Sequence, residues 1–252
     1  MAELIAPQAR RWLLDGRPAR SLHVFDGVCN LVNDRGEVLS VVSPRIGPGP
    51  LHLVAADEAA VALERRDPVR FDGASRQLTV GRLCVGWQAA NLWSPRPEWA
   101  LLRERPAGWP APEPLPPDID APLRHTLAGL VAGDWAACLA GARGLAGRGA
   151  GLTPSGDDVL LGIFYALWVW QARLEWVARL AAEVAPLTTT LSANLLRAAA
   201  DGEAMWQWHD LVDGRPGAMA ALLAVGHTSG ADAWAGFVAA YTIGKVLAGM
   251  LT

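Results

Sequence analysis

Residues 147–170 read GRGAGLTPSGDDVLLGIFYALWVW, and this stretch sets the character of everything around it. Four glycines and Pro154 keep the first part irregular, whereas the apolar run after Asp157 and Asp158 reads as helix. The pattern predicts one long helix from about Asp157 to Ala185, stopped by Pro186. Its uncharged segment, Val159 to Trp170, is shorter than the ~20 residues needed to cross a bilayer, so it reads as a buried core helix. Further helices are expected downstream at 188–200, 216–225 and 231–251. Upstream they are expected at 123–132 and 135–142, the latter running into the glycine-rich loop Gly144–Gly151. Residues 123–252 are therefore expected to be all-helical, with abundant alanine favouring close packing.

Before that region the composition changes. Nine of the 18 prolines fall between Pro95 and Pro122, a density that favours extended backbone over helix or sheet. A linker or arm over 95–122 is the expectation, with Trp93, Trp99 and Trp109 placed to pin it by packing on proline. Residues 1–94 read as β-rich. Ser21–Val32, the turn Asn33–Gly36 and Glu37–Ser43 form a hairpin pattern, and Leu51–Ala56 and Gln77–Trp87 are further strands. A short helix is expected over Asp57–Arg66. The fold class is α+β: a β-rich N-terminal half, then an all-helical C-terminal half, joined by a proline-rich segment.

Composition excludes several functions. The 252-residue chain carries 22 Lys+Arg against 25 Asp+Glu, and 52% of it is hydrophobic. That excludes disorder and leaves no basic footprint for nucleic acid. No signal peptide or membrane span is visible, so a cytoplasmic protein is expected. Cys29, Cys84 and Cys138 are too scattered for a disulfide framework or a zinc site, and no HExxH exists. No metal or cofactor is expected. Mg²⁺, held through Asp157, Asp158 or Asp232 and water, is the one ion the residues would suit.

Two segments share a pattern. Ser155-Gly156-Asp157-Asp158 and Ser229-Gly230-Ala231-Asp232 are each followed, four residues after the second aspartate position, by a glycine (Gly162 and Gly236). Both read S-G-x-D-x3-G at a helix start. Glycine there weakens a helix by about 1 kcal/mol, so close packing is its expected reason. The repetition suggests two helix N-termini facing one site across a pseudo-twofold, with Asp158 and Asp232 in parallel roles. One N-cap each is the bland alternative. Helix starts suit small anions, and backbone N–H groups at Ser155–Asp157 and Ser229–Ala231 are the expected oxyanion donors. Gly151, Thr153, Ser155, Gly156, Asp157, Thr228, Ser229 and Gly230 are the expected substrate-binding residues. A third segment, Thr188-Thr189-Thr190-Leu191-Ser192-Ala193-Asn194, adds Ser192 and Asn194. Asp158 and Asp232 are expected to orient an amine or hold a metal, and His227 to shuttle a proton.

The segments GAGLTPSGDDVLLG, TTTLSANLLRAAADG and GHTSGADAWAG resemble the AllH-type family. FDGVCNLVNDRGEVLSVV and GPGPLHLV resemble its β-rich opening more weakly. The resemblance implies a subunit of an oxamate carbamoyltransferase, linked to allantoin and purine breakdown, that moves a carbamoyl group between phosphate and oxamate. It implies small anionic substrates such as carbamoyl phosphate or oxamate, other carbamoyltransferase subunits as partners, and an oligomer. The Ser-Thr-Arg-Thr loop of ornithine and aspartate carbamoyltransferases is absent, so such an activity would use a different site. The alternative is a non-catalytic anion-binding or scaffolding subunit.

Overall fold

The structure is a computed structural model and describes residues 1–57, 68–104 and 108–249. The expected 57–66 helix falls, beyond its first residue, outside the described residues. The chain divides into two compact units, 1–95 with 204–206, and 96–203 with 207–252.

In the first unit the strands are β1 (Ala2–Ile5), β2 (Ala19–Phe25), β3 (Val28–Asn33), β4 (Val38–Val42), β5 (His52–Ala55), β6 (Val69–Asp72), β7 (Gln77–Val80), β8 (Leu83–Gly86) and β9 (Asn91–Leu92), with α1 (Pro7–Asp15) after β1. Six form a mixed sheet in the order β2-β3-β4-β5-β1-β9, and β6-β7-β8 form a second sheet. Register is set across the middle strands by Leu31 opposite Leu39 and Val41 opposite Leu53. That puts Cys29, Leu31, Leu39, Val41 and Leu53 on one face, where they pack with Ala9, Trp12 and Leu13 of α1 and with Leu78, Val80 and Val85 of the smaller sheet. The expected strand over 21–32 is two strands, because Asp26-Gly27 turns the chain with Gly27 at φ 77°. The 77–87 segment likewise folds back at Gly81 (φ 56°). Residues 204–206 belong to this unit through hydrogen bonds. Ala204 N–H donates to Pro95 O (2.8 Å), and Trp206 Nε1 donates to Ile46 O (2.8 Å).

The second unit is helical, with no strand among its described residues: a 3₁₀ turn at Trp99–Glu104, then α2 (Pro117–Ala132), α3 (Trp135–Leu145), α4 (Ser155–Trp170), α5 (Leu174–Val184), α6 (Thr190–Ala200), α7 (Trp206–Asp213, whose first residue lies with the other unit), α8 (Ala218–Leu223) and α9 (Ser229–Gly249). Two expectations are corrected. The long helix breaks at Gln171–Arg173, where both named residues are left-handed (φ 54° and 52°) and Ala172 N–H caps Leu167 O. The proline-rich stretch is not extended throughout, because α2 begins inside it. Pro117 takes the first helical position, where a missing N–H costs nothing, and Pro122 is tolerated in the second turn. Two of the three tryptophans expected to pack on proline, Trp99 and Trp109, are held by aromatic partners. Trp99 stacks on Tyr165 (4.8 Å between centroids) and donates to Gly202 O. Trp109 packs edge-on against Trp234 and Phe237, and Trp234 Nε1 donates to Pro110 O.

Candidate functional site

The two S-G-x-D helix starts meet. A Cβ on Gly162 of α4 would overlap the Ala233 carbonyl oxygen of α9, and a Cβ on Gly236 would overlap the Val159 carbonyl oxygen. Val159 and Ala233 hold the same place in the two copies of the pattern, as do Gly162 and Gly236, so the contact is reciprocal. Farther along, Gly244 lies against Ala166 and Trp170. Contacts therefore advance together along both helices. α4 and α9 run parallel, with their N-termini at one end.

The entries to the two helices match as well. Gly156 N–H donates to Arg148 O (2.8 Å) and Gly230 N–H to Val225 O (3.0 Å). A Cβ on Gly156 would overlap Leu145 O at the end of α3, and one on Gly230 would overlap Leu222 O in α8. Each hairpin brings its second helix onto the carbonyl end of the first, where only glycine fits. The second copy uses a shorter loop.

This geometry revises the expected oxyanion cradle. The N–H groups of Gly156, Asp157 and Gly230 are already spent on chain carbonyls, those of Arg148, Pro154 and Val225. Asp157 is spent too. Its Oδ1 accepts from Gly147 N–H (2.9 Å) and its Oδ2 from the Thr188 hydroxyl. Burial raises its pKa, opposed by the bonds from Thr188, Gly147 and Ser192. Thr189 caps α6 by accepting from Ser192 N–H, and it donates to Leu152 O (2.6 Å). Ser192 is buried and also reaches Leu152 O, and Asn194 donates to Thr190 O one turn back in α6. The 188–194 segment thus clamps the glycine-rich loop. Thr188 and Thr189 do this work, a role that their hydroxyls and position after Pro186 hinted at without specifying a partner.

Asp158 and Asp232 differ from Asp157. They are 3% and 8% exposed, and the Oδ2 of each is buried with no hydrogen-bond partner. Most buried polar atoms in folded proteins are satisfied, so two such oxygens at matching positions require a reason. The Ser229 hydroxyl bonds to the Asp158 carboxyl and lies 2.9 Å from the Thr153 hydroxyl, linking the loop before α4 to the start of α9. Burial pushes the Asp158 pKa well above the usual carboxylate range. Ser229 opposes that shift, whereas the charges of Asp232 and Asp157 add to it. Asp158 in turn adds to the upward shift that burial imposes on the Tyr165 phenol. Ser155 is half-buried at the α4 start. Gly151, His227 and Thr228 sit on exposed turns, and His227 is not among the groups that act on Asp158. Among the described residues no group of three His, Cys, Asp or Glu side chains is placed to hold a metal ion.

The assembled groups are two unpartnered acceptor oxygens and two hydroxyls at the head of a parallel helix pair. Such a set accepts N–H donors and handles protons. Residues 145–241 match the family model described as oxamate carbamoyltransferase subunit AllH. In this segment the chain is AllH-like. The AllH-like segment contains both S-G-x-D helix starts and the 188–194 clamp, and it begins at the last residue of α3. The weaker resemblance around residues 25–54 lies outside it. No solved structure matches the chain significantly.

Proposed function

We propose that the chain is a subunit of a carbamoyltransferase-like enzyme acting on small anionic substrates of the carbamoyl phosphate and oxamate type, in purine or allantoin nitrogen breakdown. The observation that carries this reading is the pair of buried, unpartnered Asp158 and Asp232 oxygens inside the AllH-like segment. Carbamoyl and oxamate groups both present NH₂ donors, which these oxygens would accept. With the Ser229 proton on Asp158, the Thr153 hydroxyl would turn from Ser229 to donate to a carbonyl or phosphoryl oxygen, and the paired helix N-termini would favour net negative charge on the bound molecule. Asp158 and Asp232 are the catalytic residues on this reading. Asp157 and Ser192 position the loop, and Asn194 follows Ser192 on α6. Arg148, exposed on the glycine-rich loop, is the basic residue nearest the α4 start in sequence. The free thiols of Cys29, Cys84 and Cys138 suit a reducing, cytoplasmic setting, and no described helix is long and apolar enough to cross a membrane. Other carbamoyltransferase subunits would complete the assembly.

The test is phosphate release from carbamoyl phosphate and oxamate, with the chain alone and with its partner subunits. Asp158→Asn and Asp232→Asn, each folded by circular dichroism, should lower turnover at least about 100-fold, in line with loss of acid–base catalysis. Full turnover by the folded double variant would assign catalysis to the other subunits.

A further inference from the structure

The first unit holds a cavity of about 290 Å³ that the carbamoyl-transfer reading does not use. α1 supplies Gln8, Arg11, Trp12 and Asp15, whose spacing places them on one helical face, with the exposed Leu14 beside them. Glu37 closes the other side from the turn between β3 and β4. Floor and wall are tied together. Trp12 Nε1 donates to Glu37 O (3.0 Å), and the indole packs edge-on against Phe71 of β6, with 5.4 Å between ring centroids.

Glu37 is held by a buried neighbour. Asn33 donates from Nδ2 to Glu37 Oε2 (2.7 Å), and its Oδ1 accepts from Glu37 N–H (3.0 Å). A carboxylate fixed in this way loses little freedom when a ligand arrives. Arg11 and Asp15 are four residues apart on the helix, where opposite charges commonly pair. Among the described residues neither has an ion-pair partner. Arg17, the next cation along the chain, is held by Asp34 through two bonds. The cavity therefore presents an open guanidinium and two carboxylates, one of them rigid, around an indole.

We propose that this cavity binds a small zwitterion, an ammonium group joined to a carboxylate by a short carbon chain. The planar fork of Arg11 takes the ligand carboxylate in two parallel bonds. Glu37 and Asp15 take the ammonium group, and the carbon chain lies along Trp12 and Leu14. A molecule with one charge alone leaves half of the cavity unmatched: an amine leaves Arg11 unanswered, and a carboxylate alone meets Glu37 and Asp15 as like charges. The volume is close to the ~300 Å³ lower bound of small-molecule sites, which limits the ligand to a few carbons.

Three probes of similar size separate the charges: γ-aminobutyrate carries both, butylamine only the ammonium and butyrate only the carboxylate. Proton–nitrogen NMR of the full chain follows the Trp12 indole signal, assigned with Trp12→Phe, as each probe is added. γ-Aminobutyrate should shift that signal saturably below ~10 mM, and each single-charge probe should bind at least about tenfold more weakly. Arg11→Gln and Glu37→Gln should each weaken γ-aminobutyrate at least about tenfold. Both side chains lie outside the buried core, and unchanged signals from the other indoles verify the fold. Absence of a saturable shift, butylamine or butyrate binding as tightly as γ-aminobutyrate, or either variant binding unchanged overturns the proposal. Phosphate release plays no part in this test, so its outcome is independent of the carbamoyl-transfer reading.

Discussion

Adjacent residues of one chemical type have opposite consequences here. Asp157 accepts two strong hydrogen bonds, and Asp157→Ala should destabilise the protein by about 2 kcal/mol, because Gly147 N–H and the Thr188 hydroxyl lose their acceptor. Thermal unfolding measures this. Asp158 behaves the other way. Its folded-state pKa is raised, so the folded chain holds a proton that the unfolded chain releases. That contribution to stability is full below the ordinary carboxylate range and is lost as pH climbs through the raised value. Asp158→Asn should therefore raise the Tm at neutral pH, by about 2–4 °C per kcal/mol relieved, and flatten its decline between acid and neutral pH. A Tm unchanged or lowered at pH 7 would contradict the buried, uncompensated charge. A carboxylate that costs stability and stays unpaired fits a functional group better than a structural one. Sequence reading singled out both aspartates as a pair of acids. The S-G-x-D pattern set Asp158 apart with Asp232 and left Asp157 among the substrate-binding residues, but the bond of Asp157 to Thr188 depends on a segment some thirty residues away.

Between elements, the decisive contact is glycine against backbone. Gly162→Ala and Gly236→Ala each push a methyl into a carbonyl oxygen of the facing helix, and each should cost about 1–3 kcal/mol by overpacking. Gly249→Ala, in open space at the end of the same α9, should be neutral or stabilising. Equal effects at all three positions would contradict the reciprocal packing. The S-G-x-D-x3-G repeat made this close approach legible before any coordinates, because glycine inside an apolar helix needs a packing reason. The break between α4 and α5 was not legible. Gln171 and Arg173 adopt left-handed backbone without a glycine or proline to mark it, while the apolar pattern runs on into the next helix. The hairpin turn at Asp26-Gly27 did carry a signal, since Asp-Gly favours tight turns, yet the apolar run around it read as one strand.

At the scale of the whole chain, local order along the sequence and membership in a compact unit do not coincide. Residues 204–206 return to the first unit more than a hundred residues after leaving it. Trp206→Phe removes the Nε1 bond to Ile46 O and should cost about 1 kcal/mol. Hydrogen exchange should report that loss in the 46–48 segment, where Pro48 O also accepts from Trp206 N–H. No window of sequence could have revealed this return, because it depends on a hydrogen-bond partner far away in the chain. Composition and periodicity alone were enough for the α+β class, the change from strands to helices, and the two glycine-marked helix starts. Those properties follow from side-chain polarity and backbone preference at each residue and its near neighbours. Parallel pairing of α4 with α9, the diversion of Gly156 and Gly230 N–H groups to chain carbonyls, and the burial of Asp158 beside Asp232 arose only in three dimensions. Burial and hydrogen-bond partnership are properties of what surrounds an atom, and the surroundings are set by distant segments.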